Sequence, residues 1–282
     1  MVGTIALPPG YVALVTGGAR GLGWGIARAL GQAGARICVT DLSDDELARC
    51  GRDLDADGTE FEVRRSDVAD LADCQGVVQK VVSRWGRLDV VVHNAIYMPI
   101  IPFDATTPEE WSRQLNVGIG GLFNCCRAAW DQLRSQGGGH IIGIASGSSI
   151  RGYKEEVAYC TVKHGIEGFV KALALEAKPY NIAINTIGPG ARIKPTRLTW
   201  AEHDATASDV KAAWADPVAL GAAWTWLAAQ PPARFSGYRF DAGRIIETIA
   251  REGADFEFAP DKVTLYPDDF RARQEWYDTY AG

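Results

Sequence analysis

The sequence predicts a single α/β domain built as a doubly wound parallel sheet with helices on both faces. Three observations predict it. Short β-branched runs alternate with longer helical windows, the βαβ pattern of parallel sheets. The strand runs are apolar throughout rather than at every second residue, as strands buried on both sides are. A glycine cluster directly follows the first strand and opens the first helix.

Residues 11–16 (YVALVT) form the first predicted strand and 21–33 the first helix. RICVTD at 36–41 is the second strand, after which Ser43 caps a helix running through Leu47 toward Leu54. Residues 60–65 give a third strand, 71–84 a third helix and 89–94 (DVVVHN) a fourth strand. A long helical pattern covers 108–133, and HIIGIAS at 140–146 is the fifth strand. The helix expected over 155–178 is stopped by Pro179. NIAINTI at 181–187 is the sixth strand, ended by Gly188-Pro189-Gly190. The uncharged stretch 217–230 is too short to span a bilayer and reads as a buried helix. This succession is Rossmann-like, one domain over residues 1–243. The segment 244–282 differs in composition, with 5 basic and 9 acidic residues and 7 of the 27 aromatics. A disordered tail is poor in aromatics, so Phe256, Phe258, Tyr266, Phe270, Trp276 and Tyr277 are expected to anchor it on the domain or on a neighbouring subunit.

Composition excludes several classes. Of 282 residues, 47% are hydrophobic and 23% charged, which rules out a disordered, collagenous or coiled-coil chain. The net charge of −6 argues against nucleic acid as a partner. No segment suits a membrane span or a secretory signal, and the six cysteines have neither zinc spacing nor a disulfide framework. No metal is expected. The cysteines read as reduced, mostly buried thiols of a cytoplasmic protein, with adjacent Cys125 and Cys126 open to a redox role.

The turn Thr16-Gly17-Gly18-Ala19-Arg20-Gly21-Leu22-Gly23 has the spacing GxxxGxG. Glycines there let the backbone turn tightly and approach a pyrophosphate, which a helix N-terminus attracts. Taken alone, the cluster also fits a bare strand-to-helix turn. Asp41 ends the second strand, where a carboxylate accepts the ribose hydroxyls of a dinucleotide and repels a 2′-phosphate. NAD is therefore expected over NADP, although Arg20 beside the phosphates argues the other way. Further along, Tyr159 and Lys163 lie four residues apart, hence on one helix face. An ammonium near a phenol favours the phenolate, so Tyr159 is expected to exchange a proton with an alcohol or ketone near neutral pH.

Together these motifs resemble the short-chain dehydrogenase/reductase family in its single-domain form, over about residues 8–243. TGGARGLG resembles the family's cofactor loop, Asp67-Val68 its adenine-contacting pair and Asn94-Ala95 the core of its fourth-strand motif. Asn116 matches its helix asparagine, and Ser146, 13 residues before Tyr159, its catalytic serine. Pro189-Gly190 resembles its nicotinamide-side turn and Asp241-Ala242-Gly243 the end of its last strand. The resemblance implies Tyr159 as general acid/base, with Lys163 tuning it and holding the nicotinamide ribose. It implies Ser146 as the group that holds the substrate oxygen, and Asn116 as the one that positions a water leading to solvent. Gly17, Arg20, Gly21, Leu22, Gly23, Asp41, Leu42, Asp67, Val68, Asn94, Ala95, Tyr159, Lys163, Pro189 and Gly190 are the implied cofactor set.

The chain departs from the family at His93 and Ile96, where Asn-Asn-Ala-Gly is usual, and in the stretch Ile193-Lys194-Pro195-Thr196. His93 reads as a core residue bonding backbone, and Thr196 as the candidate carboxamide contact. The implied substrate walls include Ile96, Tyr97, Met98, Ser148, Ile150, Tyr153, Ala191, Arg192, Lys194 and Trp200. This mixture suits a bulky, ring-containing secondary alcohol or ketone, with Arg192 or Lys194 either facing a negative group or merely solvated. Helices 108–133 and 155–178 resemble those that pair subunits in the family, so a homotetramer or homodimer is expected. Two alternatives stand beside the dehydrogenase reading. One is a lyase or epimerase on the same scaffold; a halohydrin-type lyase would need neither the glycine loop nor Asp41. The other is a non-catalytic dinucleotide sensor, which would be free to lose Tyr159 or Lys163.

Overall fold

The computed structural model describes residues 5–264. Seven strands form one parallel sheet: β1 (Val12–Thr16), β2 (Arg36–Asp41), β3 (Phe61–Arg65), β4 (Val90–His93), β5 (Gly139–Ile144), β6 (Ile182–Gly188) and β7 (Arg239–Asp241). Their spatial order is β3-β2-β1-β4-β5-β6-β7. The chain therefore builds outward from β1 to β3, then returns past β1 to start again at β4. Crossovers leave β1 and β4 toward opposite faces at that reversal, and a crevice opens beyond the strand ends. Thr16 pairs with Thr40 on one side and His93 on the other, so the β1 end is central to that crevice.

Helices α1 (Gly21–Gln32), α2 (Asp44–Ala56) and α3 (Leu71–Trp85) follow the first three strands. α4 (Pro108–Leu115) passes through a π turn, Asn116–Gly120, into α5 (Gly121–Ser135). The single helix expected over 108–133 is thus interrupted where Asn116 sits. The remaining helices are α6 (Val157–Ala177), α7 (Trp200–Ala205), α8 (Ser208–Lys211), α9 (Pro217–Ala228), α10 (Ala242–Glu252) and α11 (Pro260–Val263). α9 is the uncharged helix expected near 217–230, and Trp224 on it is fully buried. Two apolar cores flank the sheet. One joins α1, α2, α9 and α10 to one face; the other joins α3, α5 and α6 to the opposite face. Burial on both faces is the reason the strands carry no polar alternation.

The composition change at 244 does not coincide with a break in the fold. α10 runs across it from Ala242, and Ile245 and Ile249 lie in the same core as α1. Phe256 stacks on Trp226 with ring centroids 5.1 Å apart, and Phe258 sits 4.7 Å from Phe235. Tyr266, Phe270, Trp276 and Tyr277 lie outside the described residues. Five cysteines are buried and Cys160 half-buried, all of them free thiols. No helix among the described residues is long and apolar enough to cross a membrane.

Candidate active site

A cavity of about 1360 Å³ lies in the crevice, reaching from the β1–α1 loop to the segment after β6. Its loop end is built from backbone. Gly17 has φ +57°, and a Cβ there would meet Ala95 Cα at 2.7 Å, so only glycine lets the loop press against the end of β4. The Asn94 amide donates to the carbonyls of Thr16 (3.2 Å) and Gly17 (2.7 Å), fixing the loop from the neighbouring strand. Gly23 does not line the cavity; it leaves room for that amide, which a Cβ would approach to 2.4 Å. α2 and α3 are capped by Ser43 and Asp70 and carry acids in their first turns, whereas α1 has neither a side-chain cap nor a first-turn acid. Its terminal N–H groups and dipole are left for an anion from the cavity, and Arg20, Gly21 and Leu22 line that spot. These features fit a dinucleotide's pyrophosphate.

Asp41 lines the cavity from the end of β2. Its carboxylate accepts the N–H groups of Leu42 (2.8 Å), Ser43 (3.4 Å) and Ala19 (3.3 Å), which tie it to the glycine loop. Leu42, Asp67 and Val68 line the same region. Asp67 accepts the Ala69 N–H, while the Val68 carbonyl accepts from Asn124.

Three expected pocket residues fall elsewhere, and Ile150 is one, since it does not line the cavity. Trp200 is buried outside the cavity, its indole N–H donating to the Ala19 carbonyl (3.1 Å) and its ring set edge-on to Trp24. The apolar ring is better satisfied between the glycine loop and α1 than in an open wall, and Glu46 accepts its backbone N–H. Lys194 lines the loop end rather than a site for a substrate anion. Its side chain lies beside Gly21 and donates to the Leu198 carbonyl. Burial and the neighbouring Arg20 push its pKa down to about 8. Arg192 lines the cavity with an exposed side chain.

The other end is built from side chains. Ser146 lies two residues past the end of β5, where it caps the turn Gly147–Ser149; its Oγ accepts the Ser148 N–H (3.2 Å), while its own N–H donates to Ser149 Oγ (3.1 Å). Tyr159 and Lys163 share one face of α6 and both line the cavity. The phenol is not lowered as expected: burial raises it to about 12, with the Ser146 hydroxyl opposing the rise. The Lys163 ammonium sits 5.5 Å from the Tyr159 ring centroid and donates to the Ile144 carbonyl at 2.7 Å. Burial brings it down to about 8, against the pull of Glu167 one turn further on. Glu167 pairs with the Arg239 guanidinium (3.4 Å) and accepts the Thr186 hydroxyl. Arg239 in turn donates to the Ser146 carbonyl (3.0 Å). Ser146 and Lys163 thus share one buried support. The spacing of Glu167 after Lys163 could have signalled its place on that helix face; nothing local points to Arg239.

Asn116 opens the π turn and lines the cavity. A Cβ on Gly118 would fall 2.3 Å from Val162 Cγ1, so glycine allows this turn to rest on α6 next to Lys163. The Gly118 carbonyl in the π turn accepts both the Gly121 N–H and His93, whose Nε2 donates to it at 2.9 Å. Nδ1 is then the acceptor, 3.2 Å from Thr16 Oγ1. Burial holds His93 near 4, hence neutral. The unusual histidine bonds backbone, as expected. Ile96, Ser148, Tyr153, Thr196, Pro189 and Gly190 line this end, Gly190 beside Asp241.

The profile of the family described as short chain dehydrogenase matches residues 11–206. The chain belongs to the short-chain dehydrogenase family. Among the family's members, a D-threitol dehydrogenase of Mycolicibacterium smegmatis is 34% identical over 180 residues, 64% of this chain and 69% of that one. An L-fucose dehydrogenase of Oryctolagus cuniculus is 33% identical over 234 residues, 78% of this chain and 80% of that one. A protein of Sinorhizobium meliloti 1021, solved as a candidate short-chain alcohol dehydrogenase, superposes with a TM-score of 0.75 at 27% identity. It covers 85% of this chain and 96% of its own. A metagenomic short-chain oxidoreductase solved in complex with NADP gives a TM-score of 0.69 at 26% identity, with 82% and 97% covered. Short-chain dehydrogenases bind a nicotinamide dinucleotide and are oxidoreductases, and the loop end has the form that such a cofactor requires.

Proposed function

We propose that this short-chain dehydrogenase is NAD-dependent and interconverts a bulky, ring-containing secondary alcohol and its ketone. The observation that carries the reading is the continuity of one cavity from the uncapped α1 terminus to the Ser146, Tyr159 and Lys163 side chains. A cofactor along that cavity would rest on Gly17, Arg20, Gly21 and Leu22, with Asp41 and Leu42 at the adenosine ribose. Asp67, Val68, Asn94 and Ala95 would flank the adenine side and Pro189 and Gly190 the nicotinamide side. When bound, the dinucleotide supplies the hydride acceptor or donor. Tyr159 holds or takes the proton at the substrate oxygen, and Ser146 donates a hydrogen bond to that oxygen as charge develops. Lys163 provides a cation beside the phenol, and Asn116 orders the path by which the proton reaches solvent. Asp41 supports NAD, since its carboxylate repels a 2′-phosphate at the same place.

In the free protein the phenol is protonated through neutral pH, the form that donates to a ketone. The test is reduced-nicotinamide absorbance with a panel of secondary alcohols and either cofactor. Tyr159→Phe is expected to lower kcat by at least about 100-fold while leaving dinucleotide affinity unchanged within a few-fold. Asp41→Ala is expected to shift preference from NAD toward NADP. Full activity in the phenylalanine variant would sink the proposal.

A further inference from the structure

The cavity wall next to Ser146 carries a polar pair that proton transfer at Tyr159 does not use. Ser148 is buried, and its hydroxyl donates to Glu156 Oε2 at 3.0 Å. Both residues line the cavity. They also connect directly to the reacting groups. The Ser148 N–H donates to Ser146 Oγ, and Ser146 is the hydroxyl beside Tyr159. Glu156 precedes Tyr159 by three residues and occupies the N-cap of α6, a position from which a side-chain oxygen can accept N–H groups of the first turn. It makes no such bond. Instead, Glu155 adopts φ +65°, a costly conformation for a non-glycine residue, held by the bond from Ile101 N to the Glu155 carbonyl. The chain enters the helix from that turn with the Glu156 carboxylate directed to Ser148.

The pair has a defined hydrogen-bonding character. With its proton committed to Glu156, the Ser148 oxygen offers only lone pairs, and an ionised carboxylate likewise only accepts. Such a wall suits a hydroxyl donor. It suits neither a carboxylate, which it repels, nor a methylene, which would leave polar groups dry.

We propose that Ser148 and Glu156 form a subsite for a second substrate hydroxyl, adjacent to the reacting carbinol, so that the substrate class is a vicinal diol or polyol and its hydroxyketone. This rests on the reading of Tyr159 as the proton-exchanging group. The second hydroxyl donates to Glu156 and is not itself oxidised; the redox change stays at the carbinol carbon, whose hydride goes to the oxidised nicotinamide and whose proton goes to Tyr159.

The experiment compares kcat/KM for paired alcohols: cis-1,2-cyclohexanediol against cyclohexanol, and open-chain vicinal diols against their mono-ols. The wild-type protein is expected to prefer the diols by roughly 100-fold or more. Ser148→Ala and Glu156→Ala are each expected to lower that ratio at least about tenfold, and Glu156→Gln, which keeps an acceptor oxygen, to restore part of it. Thermal melting identifies a variant that fails to fold, and the serine variant then carries the test. Equal turnover of diols and mono-ols, stopped in both series by Tyr159→Phe, would overturn the subsite and leave the proposed reaction standing. So would an unchanged ratio in Ser148→Ala. No turnover in either series would overturn both.

Discussion

The two ends of the cavity are made in different ways. At the loop end the contacts come from backbone and from side chains that are missing: Gly17 at positive φ, an uncapped helix terminus, an Asn94 amide bonded to carbonyls. At the far end they come from ionisable and hydroxylic side chains whose positions depend on buried partners, Glu167 one turn along α6 and Arg239 far off in the chain. A backbone-built site depends first on shape, and Lys194, held near 8 beside Gly21, is the group that brings pH dependence to it. A side-chain-built site depends on charge balance, and its burial moves Tyr159 up and Lys163 down. The first end is expected to fail sterically and the second electrostatically.

Glu167→Gln is the sharpest way to test the second half of that contrast. It takes a negative charge away from the buried Arg239 guanidinium, a change that costs about 3–5 kcal/mol when a buried pair is broken from one side. A melting experiment should show a drop of several degrees. The same substitution removes the attraction that holds Lys163 up. The Lys163 pKa then falls further below about 8, and the cation is lost at lower pH. The alkaline limb of the kcat–pH profile is expected to move to lower pH. A melting drop without that movement would mean that Glu167 only stabilises the fold.

This contrast also explains what the sequence disclosed. Six strands and the glycine turn were legible because each is a local pattern: an apolar run, a spacing, a proline stop. The three-residue β7 was visible only through the Asp241-Ala242-Gly243 resemblance, as it is too short to have a period. α7 lay in a stretch without apolar periodicity, though Thr199 and Glu202 form a capping box that could have marked its start. Tyr159 and Lys163 were legible as a helical pair, but the direction of the phenol's shift was not. It depends on burial, which only packing decides. Trp200 was misplaced for the same reason: chain proximity to Pro189-Gly190 says nothing of the Ala19 carbonyl its indole reaches. Arg239 was invisible because its partners lie 72 and 93 positions away along the chain.

The loop end predicts a smaller and differently shaped effect. Gly17→Ala places a Cβ 2.7 Å from Ala95 Cα at a φ of +57°, so either the loop or the end of β4 must move. Overpacking of this size costs about 1–3 kcal/mol. Dinucleotide affinity, read by calorimetry, is expected to fall by roughly 10–100-fold, with no change in its pH dependence between 6 and 9. A pH-dependent loss would erase the distinction between the two ends.

The smallest expected effect uses two buried histidines, one at the site and one remote from it. His93 and His140 are both held near 4 by burial, each bonded through Nε2 to a backbone carbonyl, Gly118 for the first and Gln230 for the second. Their folded pKa lies below the ordinary 6.5, so the unfolded chain takes up the protons first as pH falls. Each histidine's contribution is therefore intact above about 6.5 and is lost progressively toward 4, on the order of 1–2 kcal/mol apiece by pH 5. Replacing His140 with Gln, which still offers a donor to the Gln230 carbonyl, is expected to flatten the fall in melting temperature between pH 6.5 and 5. Activity measured at pH 8 should not change. His93→Gln is expected to flatten it similarly and also to lower kcat, because the Gly118 carbonyl that His93 holds belongs to the turn carrying Asn116. Equal activity in the two variants would show that the π turn keeps Asn116 in place without its histidine, leaving Val162 packing alone to position it.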